Sequence, residues 1–333
     1  MPIDTLTRRR LTVADLPDVV ALLTASDLAV LGRTDFTETE VAADLCRADL
    51  HAYGWYAGAD LVGYGWVAQA PGAERVDVDA YVHPAYGPHD VELGAQILAY
   101  LQQRGVALVA AAGHPEAIFD LGAYRQDERT RGWLAARGFT IGTAFVRMRV
   151  DFTGPVAAGA PAEGVVVRRA TRSTEDLRAA YTIGEESFLD HYSNVPVSFD
   201  TWLQRLDECG EDWSELWLAD VDGEPAGVLV ATRQFVEDEN AGYVRTLGTL
   251  PRARGRGAAT ALLRHYFAEA AAGGRDAVLL HVDVGNSTGA LRLYEAVGMR
   301  AVLTIDAWTK RVAAPAPAPG SSPAPAAAEP RSG

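Results

Sequence analysis

Pro251-Arg252-Ala253-Arg254-Gly255-Arg256-Gly257-Ala258-Ala259 is the stretch on which the reading of this 333-residue chain turns. It lies between a β-rich run, Tyr243–Leu250, and a long amphipathic segment from about Ala258 to Ala272. Glycines let the backbone approach a ligand with no Cβ in the way, and their N–H groups converge on an anion. A helix opening at the same place adds the positive end of its dipole. Three arginines within five residues bring cations into a chain whose formal net charge is −14. A diphosphate fits these features, and so does a plain strand-to-helix corner. The stretch lacks the Gly-Lys-Ser/Thr ending of a Walker A loop. It is not a G-x-G-x-x-G, and it sits far from the first strand.

Working outward, the second half of the sequence reads β-α-α-β-β-β-α-β-α-β. Val165–Arg169 opens it as a strand, and Ser173-Thr174-Glu175-Asp176 supplies a cap and first-turn acids for a helix toward Phe188. Ser198 to about Asp207 is a second helix. Leu216–Asp220 and Ala226–Thr232 flank Asp222-Gly223 as a hairpin. Ala277–Val282 is a buried strand, Ser287–Val297 a helix and Val302–Lys310 a closing strand. The order predicts an α+β (mixed α/β) fold with helices on both faces of a mixed sheet.

The first half repeats the pattern. Arg9-Arg10 parallels Arg168-Arg169, Gly63 parallels Gly227, Pro84 parallels Pro251, and Gly138-Phe139 parallels Gly298-Met299. The offsets run from 159 to 167 residues, a consistent series that points to duplication. The expected organisation is residues 1–152 as one domain, 153–164 as a linker and 165–312 as a second domain. Residues 313–333, rich in Pro, Ala, Gly and Ser, form a disordered tail that has no large apolar side chain to bury.

Composition narrows the function. Apolar residues make up 48% of the chain, enough for packed cores. The acidic balance argues against nucleic-acid and anionic-membrane partners. Two cysteines, Cys46 and Cys209, give neither a disulfide framework nor a CxxC metal or redox pair, and no metal ligand set is expected. The start lacks a secretory h-region, so the expected location is cytoplasmic.

Arg254-x-x-Gly257-x-Ala259 followed by Asn286-Ser-Thr-Gly-Ala-Leu-Arg-Leu-Tyr294-Glu-Ala-Val-Gly298-Met299 resembles the two motifs of the GCN5-related N-acetyltransferase (GNAT) superfamily. The resemblance covers about Val165–Arg311 and implies acetyl-CoA as cofactor. It implies that backbone amides of Arg254, Gly255, Arg256, Gly257, Ala258, Ala259 and Thr260 hold the diphosphate. Leu247, Gly248 and Thr249 would pair with the pantetheine arm, the Leu247 N–H donating to the thioester carbonyl. Asn286 would contact the arm, and Tyr294 would act as general acid toward the departing thiolate. The base stays open among Glu239, His281 and Asp283, and a neutral amine needs no strong one. Glu185, Glu186, Asp190 and His191, on the helix pair that covers the acceptor pocket in this fold, would favour a cationic amine; a solvated helix end reads equally well.

Threaded on the same order, the first half has Gly87, Asp90 and Glu92 where the second has Arg254, Gly257 and Ala259. Leu134 and Gln126 replace Tyr294 and Asn286. Carboxylates face the phosphate position and Pro88 removes a donor, so this half is expected to be catalytically silent. Two tandem GNAT-like domains, each a mixed, mostly antiparallel sheet, are the expectation, in a monomer or homodimer. The expected activity is acetyl transfer from acetyl-CoA to a primary amine of a small molecule, by direct attack in a ternary complex. A protein N-terminal or lysine acetyltransferase and a non-catalytic CoA-binding module are the alternatives.

Overall fold

The structure is a computed structural model and describes residues 5–189, 197–208, 215–285 and 289–315. Numbered along the chain, its elements are β1 (Thr7–Arg10), α1 (Leu16–Leu31), α2 (Glu38–Cys46), β2 (Leu50–Ala57), β3 (Asp60–Ala68), β4 (Arg75–Val82), α3 (Asp90–Ala111), β5 (Glu116–Tyr124), α4 (Glu128–Ala136) and β6 (Thr140–Asp151). The series repeats as β7 (Val165–Arg169), α5 (Thr174–Ser187), α6 (Phe199–Glu208), β8 (Leu216–Val221), β9 (Glu224–Thr232), a short α7 (Val236–Glu239), β10 (Ala241–Thr249), α8 (Ala258–Ala272), β11 (Ala277–Asp283), α9 (Ala290–Ala296) and β12 (Arg300–Ala313). None of the described helices is long and apolar enough to cross a membrane.

The chain divides into two compact units, one of residues 1–143 with 305–333, the other of 144–304. This division differs from boundaries drawn at the linker. Residues 145–151 of β6 ladder antiparallel to β11 inside the second unit, and 305–313 of β12 ladder antiparallel to β5 inside the first. The closing strand of each sequence repeat thus completes the sheet built mainly from the other. Alternation of apolar and polar residues specifies which face of a strand is buried, not which edge it joins.

Within the first unit the strand order is β1-β2-β3-β4-β5-β12, and only β4–β5 is parallel. Within the second it is β7-β8-β9-β10-β11-β6, and only β10–β11 is parallel. Each unit is therefore a mixed, mostly antiparallel sheet. In the second, Leu262, Leu263 and Phe267 of α8 join Val228, Leu229, Val278 and Leu280 of the strands in one core. Local chemistry sets the elements as the sequence indicates. Ser173 Oγ accepts from Asp176 N–H at 3.2 Å to open α5. Asp222 and Gly223, at φ 53° and 88°, make the left-handed two-residue turn that joins β8 to β9.

Candidate functional site

The site starts from a parting of two strands. β10 and β11 run parallel and pair only from Ala241↔Ala277 to Val244↔Leu280. Beyond that register, residues 245–249 of β10 have no β11 partner. On its other side β10 stays laddered to β9 down to Thr249↔Gly227, with Arg245 as an extra residue between Val244 and Thr246. Such a bulge bends its strand and increases the local twist, which is what parts β10 from β11. The resulting V presents unpaired backbone along Leu247, Gly248 and Thr249. An extended ligand arm can dock there as an added strand would.

The glycine turn lies at the open end of the V. Pro251–Ala253 form one 3₁₀ turn, and Gly255 and Gly257 take φ of 76° and 84°, values open to glycine and costly for residues with a Cβ. Nothing lies within 4 Å of a Cβ built on Gly255. The first hydrogen bond of α8 runs from Ala261 N–H to Gly257 O at 2.9 Å. The amides of Ala258, Ala259 and Thr260 are thus the uncommitted donors of the first turn, joined by those of Gly255 and Gly257. Arg254 and Arg256 differ from this expectation, because their amides already donate to Pro251 O at 3.3 Å and Ala253 O at 3.4 Å. The Arg256 guanidinium is held by Asp222 at 3.0 and 3.1 Å. Arg254 is exposed, with no side-chain partner among the described residues. The cradle is one of glycine and helix-start amides flanked by a free arginine, and an anionic diphosphate suits that donor set.

Tyr294 is buried on α9 in the core of the second unit, packed with Met299. Gly298, at φ 92°, lets Met299 N–H return to Tyr294 O at 3.0 Å and closes the helix. The Tyr294 hydroxyl has no partner among the described residues. Burial pushes its pKa up to about 12. Asn286, Asp190 and His191 lie outside the described residues.

The candidate bases fall into a network that the sequence does not reveal, because its centre is Arg147 of β6. Buried Arg147 donates through Nε to His281 Nε2 at 3.1 Å and pairs with Glu239 at 3.7 Å. Arg149 also pairs with Glu239. His281 Nδ1 lies 2.9 Å from the Tyr243 hydroxyl. With Nε2 accepting, the single proton of a neutral imidazole sits on Nδ1 and is donated to Tyr243. Burial, reinforced by the Arg147 cation, lowers the His281 pKa to about 4. Glu239 and His281 are thereby engaged with cations, a poor setting for proton abstraction at neutral pH. Asp283 closes the turn after β11, its Oδ1 accepting from Gly285 N–H at 2.8 Å.

This network sets a pH dependence of stability. The unfolded histidine binds a proton near pH 6.5 and the folded one only near 4, so the contribution is full above about 6.5 and is lost as pH falls through 4. Guanidinium melts of the wild type are expected to lose on the order of 3 kcal/mol across that window. In His281→Gln that part of the slope is expected to vanish. An unchanged slope would show that His281 titrates normally.

Glu185 and Glu186, expected to face an acceptor, lie in the last turn of α5, where the described residues include no basic side chain. Carboxylates at that end oppose the helix dipole, so their placement does not serve the helix. In the first unit the helix that corresponds to α8 is α3, and it begins with Asp90, which pairs with Arg129 at 3.2 Å, and with exposed Glu92. β4 there pairs with β3 without a register shift. Leu134, in the Tyr294 position, is fully buried.

These features define a class. Residues 176–299 match the family model described as the Acetyltransferase (GNAT) family. That match lies within the second unit, and the first unit repeats the same order of strands and helices. Among curated proteins it is similar to the mycothiol acetyltransferase of Thermobispora bispora, 32% identical over 53% of this chain and 60% of that one. It is also similar to the mycothiol acetyltransferase of Frankia casuarinae, 32% identical over 59% of this chain and 61% of the other. The match thus spans about three-fifths of the length of these relatives. A GCN5-related N-acetyltransferase from Sphaerobacter thermophilus shares the fold with a TM-score of 0.79 at 24% identity, over 94% of this chain and 97% of that one. A tandem GNAT protein from the clavulanic acid biosynthesis pathway shares it at 0.69 and 17% identity, over 92% and 98%.

Proposed function

We propose that the protein is an acetyl-CoA-dependent N-acetyltransferase whose second unit acetylates a primary amine of a small molecule. The observation that carries this reading is the parting of β10 from β11 directly upstream of a glycine turn with free helix-start amides. It lies within the stretch that matches the family. The relatives named mycothiol acetyltransferases support a small-molecule acceptor. When bound, acetyl-CoA supplies an activated acyl group on a thiol leaving group.

Amides of Gly255, Gly257, Ala258, Ala259 and Thr260 hold its diphosphate, with Arg254 alongside. Leu247 to Thr249 would align its arm, with the Leu247 N–H as the donor toward the acyl carbonyl. Tyr294 keeps its proton on Oη at neutral pH and would supply it to the thiol leaving group. The acceptor enters near the end of α5, where Glu185 and Glu186 attract it as a cation, and it reacts as the neutral amine after releasing its proton to solvent. The first unit, with Asp90 and Glu92 at its helix start, binds no CoA and serves the fold.

The test uses the full-length protein with a panel of small amines and a peptide panel as a second arm, reading free thiol released from acetyl-CoA. Amine-dependent release is expected in the first arm. Release only with peptides would replace the small-molecule acceptor by a protein one. Calorimetry that finds no CoA binding would overturn the cofactor assignment itself.

A further inference from the structure

Two fully sealed hydroxyl oxygens among the described residues have no hydrogen-bond partner, Ser187 Oγ and Thr249 Oγ1. Both flank the same short piece of backbone. A Cβ built on Gly248 would lie 2.8 Å from Ser187 Oγ and 3.0 Å from Ser187 Cβ. The last residue of α5 therefore rests directly on the Gly248 backbone, and only glycine permits that approach. Thr249 lies in register with Gly227, whose Cβ direction meets Ala258 and Leu262 of α8. One sealed hydroxyl thus sits on the α5 side of the β10 end and one on the α8 side, in the part of β10 that no longer pairs with β11.

A buried hydroxyl without a partner weakens a fold, and native structures rarely keep one without a use. Alanine at position 187 would end α5 equally well and leave nothing unsatisfied. Ser187 Oγ lies against the stretch of β10 whose backbone is left unpaired by β11, so a polar ligand lying along 247–249 on the α5 side would satisfy it. A hydroxyl in such a place donates well to a carbonyl oxygen.

We propose that Ser187 is a ligand-binding residue whose hydroxyl donates to a carbonyl oxygen of the acyl-pantetheine arm beside Gly248. This rests on the acetyl-CoA reading above. The arm offers amide carbonyls in both CoA and acetyl-CoA, and a thioester carbonyl in acetyl-CoA alone.

The test is Ser187→Ala in the full-length chain, followed by calorimetry with CoA and with acetyl-CoA and by thermal melting without ligand. The dissociation constant is expected to rise about 3- to 10-fold, the range for one net hydrogen bond, while the unliganded melting temperature holds or increases. A rise for both ligands identifies an amide carbonyl as the acceptor, and a rise for acetyl-CoA alone identifies the thioester. Unchanged affinity for both ligands would overturn the proposal, as would a lower unliganded melting temperature, which marks a structural hydroxyl. If the wild type itself fails to bind CoA, the cofactor reading falls too. If it binds and the variant binds equally, only the role of Ser187 falls.

Discussion

Tyr294→Phe is expected to lower amine-dependent thiol release by roughly a hundredfold or more, the usual range for a lost general acid, with CoA affinity within about twofold of wild type. The substitution tests the chemistry cleanly because the ring is packed in the core while its hydroxyl has no partner among the described residues. Phenylalanine keeps the packing and removes only the oxygen, so the melting temperature should hold. The pKa raised to about 12 adds a second reading of the same residue. Below that value Tyr294 carries its proton, so the wild-type pH–rate profile should show no alkaline decline from this group between pH 8 and 10. Turnover unchanged in the variant, on an acceptor that the wild type acetylates, would remove Tyr294 from the reaction.

Ala259→Glu is expected to weaken CoA binding by about a hundredfold or more. It places a carboxylate among the helix-start amides, where the like-charged diphosphate of the proposed cofactor would sit, in a partly desolvated setting that strengthens the repulsion. The fold should tolerate the change, because an acid in the first turn of α8 favours the helix dipole by about 0.3–1 kcal/mol. The unliganded protein should melt at the same temperature or slightly higher, and Ala259→Gln, uncharged and equally large, should lose far less affinity. Equal losses for Glu and Gln would show that size rather than charge is responsible. The first unit carries this experiment in its own sequence, with Asp90 and Glu92 at the start of α3.

The elements that sequence reading locates well are those whose local chemistry is self-contained. Asp222-Gly223 demands a left-handed turn, Gly257 opens α8, and Gly298 ends α9, each at the residue expected. The extents of β10 and α8 also follow from pattern, as does the loss of Tyr and the gain of carboxylates in the first repeat. Less legible is whatever depends on a partner far along the chain. His281 and Glu239 look like free bases in isolation, yet both meet Arg147, which lies 134 residues before His281. The extra residue at Arg245 leaves no trace in composition, since a bulge is defined by pairing across strands. Ser187 sits unremarked between Glu186 and Phe188, and its orphaned hydroxyl emerges only once Gly248 is placed against it.

The placement of 145–151 beside β11 and of 305–313 beside β5 governs how the protein can be dissected. A fragment cut at the linker and beginning near Val165 leaves β11 with a bare edge and carries a terminal segment whose docking site has been discarded. Bare edges of this kind invite self-association. Excision that respects the architecture begins upstream of Ala144. By the same logic the first repeat cannot be shed from the gene as a block, since deleting it would strip the second unit of a staple that the second repeat never encoded.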